Sequence, residues 1–208
     1  MTSSDLVSYN AGPIYQIVGL TNNYKTSPTS LLVTTSNLYL ASQQNPAGLE
    51  TPNNSAMYTY IAGVITDSQT RLVNGGRASA KNVIILLSDG DSNAPSSAVP
   101  GGNNAGQCHT AINAALAASN AGSGQASWVY AVAYGASNTG CQYDTSPTIS
   151  PCDTMRGIAS KNGVADATKF YSDNSTGTCQ SSTHPTITDL NGIFTAIARD
   201  LQNSRLLE

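Results

Sequence analysis

Apolar residues along this chain come in short runs separated by long polar stretches, and their spacing changes from run to run. In "DLVSYNAGPIYQIVGLTNN" (residues 5–23) two alternating segments flank Gly12-Pro13, a turn dipeptide, which predicts two short strands. Val7 and Tyr9 share a face of the first; Ile14, Gln16 and Val18 alternate with Tyr15, Ile17 and Gly19 in the second. A helix is predicted from Ser27, with Pro28 at its first position and Leu31, Leu32, Leu38 and Leu40 as its apolar residues. Met57, Tyr60, Ile61, Val64, Ile65 and Leu72 then recur mostly at helical steps, and Asn74-Gly75-Gly76 ends that segment. Asn82–Ser88 is a continuous apolar run, as in a parallel strand covered on both faces. Cys108, Ile112, Ala115 and Leu116 mark another amphipathic helix, and Ser127–Gly135 another strand. Asp153 is expected to cap a helix running through Met155 and Ile158 to a stop at Gly163. Lys169–Ser172 reads as a brief strand, and Leu190, Ile193, Phe194, Ile197 and Leu201 form one face of a last helix.

Strands alternating with helices imply βαβ crossovers, hence an α/β fold: a doubly wound, mostly parallel sheet flanked by helices. The length, 208 residues, suits a single domain over 1–208 with a sizeable core. In such sheets ligands bind beyond the carboxyl ends of the strands.

Composition narrows the function classes. Only 10% of residues are charged, the net charge is −3, and Lys and Arg form no run, so a nucleic-acid footprint is not expected. No stretch approaches the ~20 apolar residues of a membrane span. Residues 1–9 have neither the basic start nor the apolar block of a secretion signal. The final Arg-Leu-Leu-Glu resembles a cloning remnant ahead of a purification tag, which fits a chain cut from a larger envelope protein. Cys108, Cys141, Cys152 and Cys179 have no close C-x-x-C spacing. Two disulfides in an oxidising compartment are expected, with four buried thiols as the alternative and three pairings open. His109 beside Cys108 and His184 near Cys179 would make a zinc site only if their loops met.

The densest chemistry is in "SDGDSN", Ser88 to Asn93. A carboxylate that follows a buried strand must stay solvated, be hydrogen-bonded, or hold a cation. Asp89, Asp91 and Asn93 begin like a calcium loop, but Ala94 stands where an EF-hand needs glycine and Pro100 where it needs glutamate. A plain turn capping the next helix is the competing reading. No G-x-S-x-G elbow, Walker loop or dinucleotide fingerprint is present.

"KNVIILLSDGDSN" followed by "SWVYAVAYG" resembles the second half of a von Willebrand factor A-type domain. "AGLETPNNSAMYTYIAGVI" resembles that family's loop opening a helix, while "CDTMRGIAS" and "FTAIARDLQ" are closest to bacterial pilus-assembly proteins of the tight-adherence type. The resemblance implies a metal-ion-dependent adhesion site, with Asp89 and Thr51 as the matching ligands and Asp91 and Ser92 tuning the loop. It implies Mg²⁺, or Mn²⁺ or Ca²⁺, completed by a carboxylate from a protein ligand. The family's first strand, with its Asp-x-Ser-x-Ser ligands, has no counterpart before Asp5, so the family's first strand and helix are expected to be missing. The near-match Asp144-Thr-Ser146-Pro-Thr148 lies in a polar loop. Two ligands where a hard cation wants about six oxygens make a weak or absent site. Unpaired strand edges would favour self-association.

The expectation is therefore a secreted or envelope-exposed bacterial binding, adhesion or pilus-assembly module, not an enzyme, whose partner is a protein ligand or another pilus or envelope protein. A purely structural surface component and, further off, a metal-dependent hydrolase are the rivals.

Overall fold

The computed structural model describes residues 24–27, 29–42, 58–76, 80–120 and 125–205. The chain divides into two compact units, residues 1–57 and 58–208. In the first unit, Ser30 Oγ accepts hydrogen bonds from the amides of Thr26 and Ser27, closing a turn. Helix α1 (Asn37–Ala41) follows, with Ser36 Oγ accepting the Tyr39 amide as its N-cap. The helix expected from Ser27 therefore starts at Asn37, because serine side chains compete for the earlier backbone groups. Leu31 is 90% exposed and belongs to no helical face. The predicted strands within 5–19, Pro28, Thr51 and Met57 lie outside the described residues.

The second unit runs α2 (Ile61–Gly75), β1 (Asn82–Ser88), α3 (Gln107–Ala118), β2 (Ser127–Ala133), α4 (Pro151–Ile158), β3 (Ser160–Lys161), β4 (Val164–Ala165), β5 (Phe170–Ser172) and α5 (Leu190–Arg205). Every residue of β2 is buried. β1 pairs with it in parallel, Asn82 to Ser127 through Ser88 to Ala133. β3 pairs antiparallel at Val129–Ser160, and β5 parallel from Ala131–Phe170 to Ala133–Ser172. The sheet is thus mixed, parallel with one antiparallel hairpin, and helices flank it.

Alternation along β2 divides the core in two. Val129, Ala131 and Ala133 join Ile61, Ile65, Ile84, Ala111, Ala115, Met155 and Ile158 on the face covered by α2, α3 and α4. Trp128, Tyr130 and Val132 join Tyr171, Ile193 and Ile197 on the face covered by α5. Alanines at the first face leave room for helix backbones to come close to the strand.

Several expectations change. β1 spans the residues predicted, but it is not covered on both faces: Ile85 and Leu87 are 41% and 46% exposed, since α5 lies over β2 and β5. β2 stops at Ala133, and Gly135 turns the chain with φ of 67°. Ser150, not Asp153, caps α4; its Oγ accepts the Asp153 amide and donates to the Asp153 carboxylate. That helix ends at Ile158, and Gly163 is not its stop. Asn162 and Gly163, with φ of 56° and 77°, turn the β3–β4 hairpin, as an Asn-Gly pair with both residues left-handed should. On α5, Ile193 and Ile197 are buried while Phe194, placed on the apolar face by spacing, is 42% exposed.

The cysteines pair Cys108–Cys141 and Cys152–Cys179, separated by 33 and 27 residues. Loop closure of this size stabilises by about 3–4 kcal/mol each in the chain-entropy account. Among the described residues no helix is long and apolar enough to cross a membrane.

The contrast on α5 is testable. Ile193→Ala should cost about 2–5 kcal/mol, the usual range for emptying a filled core site, whereas Phe194→Ser should stay within about 1 kcal/mol. Urea unfolding midpoints of the two variants measure the difference.

Candidate binding site at the Asp89 loop

The loop after β1 emerges at the carboxyl end of the parallel strands, and its neighbours fix nearly all of it. Gly90 has φ of 88°, and a Cβ there would lie 2.3 Å from the Pro151 carbonyl oxygen, so the loop rests on the start of α4 and only glycine fits. Ser88 Oγ accepts the Gly90 amide. Beyond it, Ser92 is fully buried; its Oγ accepts the Ile61 amide at 3.2 Å. The N-cap of α2, Tyr60, offers no side-chain bond of its own, so Ser92 supplies the cap from the loop after β1. Asn93 and Thr59 exchange two bonds, Thr59 N to Asn93 Oδ1 at 3.0 Å and Asn93 N to Thr59 O at 2.9 Å. Buried Gln107, in the first turn of α3, holds Ala94 at both ends, donating to its carbonyl and accepting its amide.

Asp89 and Asp91 remain. Asp89 is exposed, and among the described residues its Oδ1 meets only the Asp91 amide at 3.4 Å and the Ser88 hydroxyl at 3.5 Å, both long contacts. Asp91 is half-buried, and its Oδ1 accepts the Gln142 amide at 3.2 Å. Burial pushes the Asp91 carboxyl above the usual carboxylate range; the charges of Asp89 and Asp144 push the same way, and the Gln142 hydrogen bond opposes them. The Asp91 carboxylate also stands within 4.8 Å of the sulfurs of Cys108 and Cys141. Those sulfurs are joined in a disulfide that packs against the Gly90 carbonyl, so they offer no thiolate to a metal.

Asp144 is the residue that sequence reasoning passed over. It lies in the polar loop as expected, yet its side chain is buried. Oδ2 accepts the Cys108 amide at 2.9 Å, and Oδ1 accepts the His109 amide at 3.1 Å and lies 2.6 Å from His109 Nδ1. Gly106, the N-cap of α3, cannot cap with a side chain, and Asp144 does so from a distant loop, where its charge also suits the helix dipole. Nothing in "YDTSPT" signals this, because the partner amides lie 35 or more residues earlier. Asp173, just after β5, was also not singled out: Oδ2 accepts the Gly135 amide at 2.9 Å, while the buried Oδ1 has no hydrogen-bond partner among the described residues.

The zinc idea fails on geometry. All four cysteines are in disulfides, His109 is held by Asp144, and His184 stacks on Tyr171 with ring centroids 4.2 Å apart. For a hard cation, Asp89 and Asp91 offer oxygen donors of the right kind. Ser92 does not join them, since its hydroxyl is committed to Ile61 and Thr59. Thr51 lies outside the described residues. The described donor set therefore fits such an ion only with water completing most of its shell. No family model, curated protein or solved structure matches the chain.

Asp144→Ala should lower stability by roughly 2–3 kcal/mol, because two amides at the start of α3 lose a charged acceptor. Asp144→Asn, which keeps an acceptor oxygen, should recover part of this in urea unfolding. For Asp91 the raised carboxyl means that folding favours the protonated form. Its contribution is full below the unfolded value of about 3.9 and is lost as pH rises through the higher folded value. Unfolding midpoints between pH 3 and 6 should show Asp91→Asn gaining on the wild type as pH rises; parallel curves would contradict the assignment.

Proposed function

We propose that the chain is a von Willebrand factor A-type binding module of the bacterial envelope or exterior, of the kind used in adhesion or tight-adherence pilus assembly, rather than an enzyme. The observation that carries this reading is the exposed Asp89 carboxylate on a loop fixed from both sides at the carboxyl end of the parallel strands. A loop tied to α2, α3 and α4 presents that carboxylate with little ordering left to do on binding. The two disulfides support an oxidising compartment. Asp89, with Asp91 adjacent, would hold Mg²⁺ or Mn²⁺ weakly, and a carboxylate from a protein ligand would strengthen it.

A second reading has its own support. Ser92 is spent on capping α2 and Asp91 on the Gln142 amide, so the loop also reads as a structural joint of a scaffold component that needs no metal. Calorimetric titration with Mg²⁺ and with Mn²⁺ separates the two. The adhesion reading expects saturable binding that Asp89→Ala abolishes while the unfolding midpoint changes little. Absence of saturable heat up to about 10 mM, a range in which Kd values of a few mM would still register, would overturn the metal-dependent reading in favour of the scaffold.

A further inference from the structure

The other end of the same sheet carries a cluster of opposite charge. The chain has four lysines, Lys25, Lys81, Lys161 and Lys169. Three of them converge on its single tryptophan: the Nζ atoms of Lys161, Lys169 and Lys81 lie 4.3, 4.6 and 5.5 Å from the Trp128 ring centroid. Strand register brings this about. Val129 pairs with Ser160 antiparallel, which sets Lys161 opposite Trp128, and Ala131 pairs with Phe170 in parallel, which sets Lys169 opposite Tyr130. Lys81 immediately precedes β1, whose second residue, Val83, is the partner of Trp128.

Three ammonium groups gather here around one close carboxylate, Asp200. Lys169 is buried and ion-paired with Asp200, which also accepts the Tyr130 hydroxyl at 2.6 Å. Lys81 and Lys161 make no close ion pair among the described residues, although the Asp200 charge acts on Lys161 at longer range. Their distances from one centroid place them within about 10 Å of each other, near the Debye length at 0.1 M salt, so their fields add. The indole face attracts each ammonium, but it carries no net charge to offset them. Trp128 is only 7% exposed and Lys169 is buried, whereas Lys81 is exposed and Lys161 partly so, which leaves these two ammonium groups within reach of solvent.

We propose that Lys81 and Lys161, seated over Trp128, form a binding site for a compact oxyanion, a phosphate or carboxylate group of a ligand, with the Lys169–Asp200 pair as its fixed floor. The site is at the amino ends of the strands, about 20 Å along β1 and β2 from Asp89 at ~3.3 Å per residue. It does not depend on the adhesion reading.

Trp128 makes the test direct, because the intrinsic fluorescence of the chain has one indole source. The full chain is titrated with inorganic phosphate and, separately, with citrate, each at ionic strength held constant with sodium chloride. The expected result is a saturable change in Trp128 emission with at least one of the two, its midpoint weakened tenfold or more in Lys81→Gln/Lys161→Gln. Asp89→Ala should leave it unchanged. Saturation with phosphate alone assigns a phosphoryl ligand, and with citrate alone a carboxylate ligand. Emission that is flat in both titrations, or a midpoint shared by wild type and double variant, overturns the proposal. Lys81→Gln alone, at an exposed position, repeats the comparison should the double variant unfold.

Discussion

Complete burial of β2 is the constraint on which the second unit rests. One edge of this strand is taken by β1 along its whole length, and the other is shared between β3 and β5. Both faces are packed with side chains. A strand without solvent on any side must have every amide and carbonyl paired. The positions of its neighbours, and of the loops at their ends, are therefore fixed relative to it. Asp89, Asp173 and the Gly135 turn stand at one end, and Lys81, Lys161 and Lys169 at the other, because each lies in or close beside β2 or a strand registered against it.

Side chains borrowed from remote loops then do the work that local caps usually do. Neither α2 nor α3 begins with a capping side chain of its own. Ser92 caps the first and Asp144 reaches the amides of the second, while Gln107 clasps Ala94. These bonds tie the Asp89 loop to α2 and α3 and tie the 137–150 loop to α3, with the Cys108–Cys141 disulfide joining the same pieces covalently. The result is a polar, oxygen-rich surface in which Asp89 is the member with the fewest commitments.

Much of the frame was legible in the sequence. β1, α3, α5 and the body of β2 lie close to where periodicity put them, because each buries a face deep enough to enforce its pattern. What was not legible depended on partners remote in sequence. Phe194 has helical spacing but falls at the border of the α5 stripe. Ile85 and Leu87 belong to an unbroken apolar run, yet coverage of their face depends on where α5 lies. The hairpin at Asn162-Gly163 was hidden because the preceding helical pattern ran into it. At the candidate site, Asp89 was singled out from its place after a strand. The role of Asp144 depends on amides of α3, and the lysine cluster exists only once the strands are paired, since no two of its members are adjacent in sequence.

The two disulfides also set how the molecule would respond to a mechanical load. In a chain drawn out between its ends, the segments inside Cys108–Cys141 and Cys152–Cys179, spanning 33 and 27 residues, cannot lengthen. At about 3.3–3.6 Å per extended residue this withholds roughly 200 Å of contour. Between Cys108 and Cys179 only the short link from Cys141 to Cys152 could be drawn out, by about 40 Å at the same rise. Force would be carried through the sulfur bridges and along the link that holds Asp144, so the hold of Asp144 on α3 would be drawn apart while the two enclosed segments stayed closed.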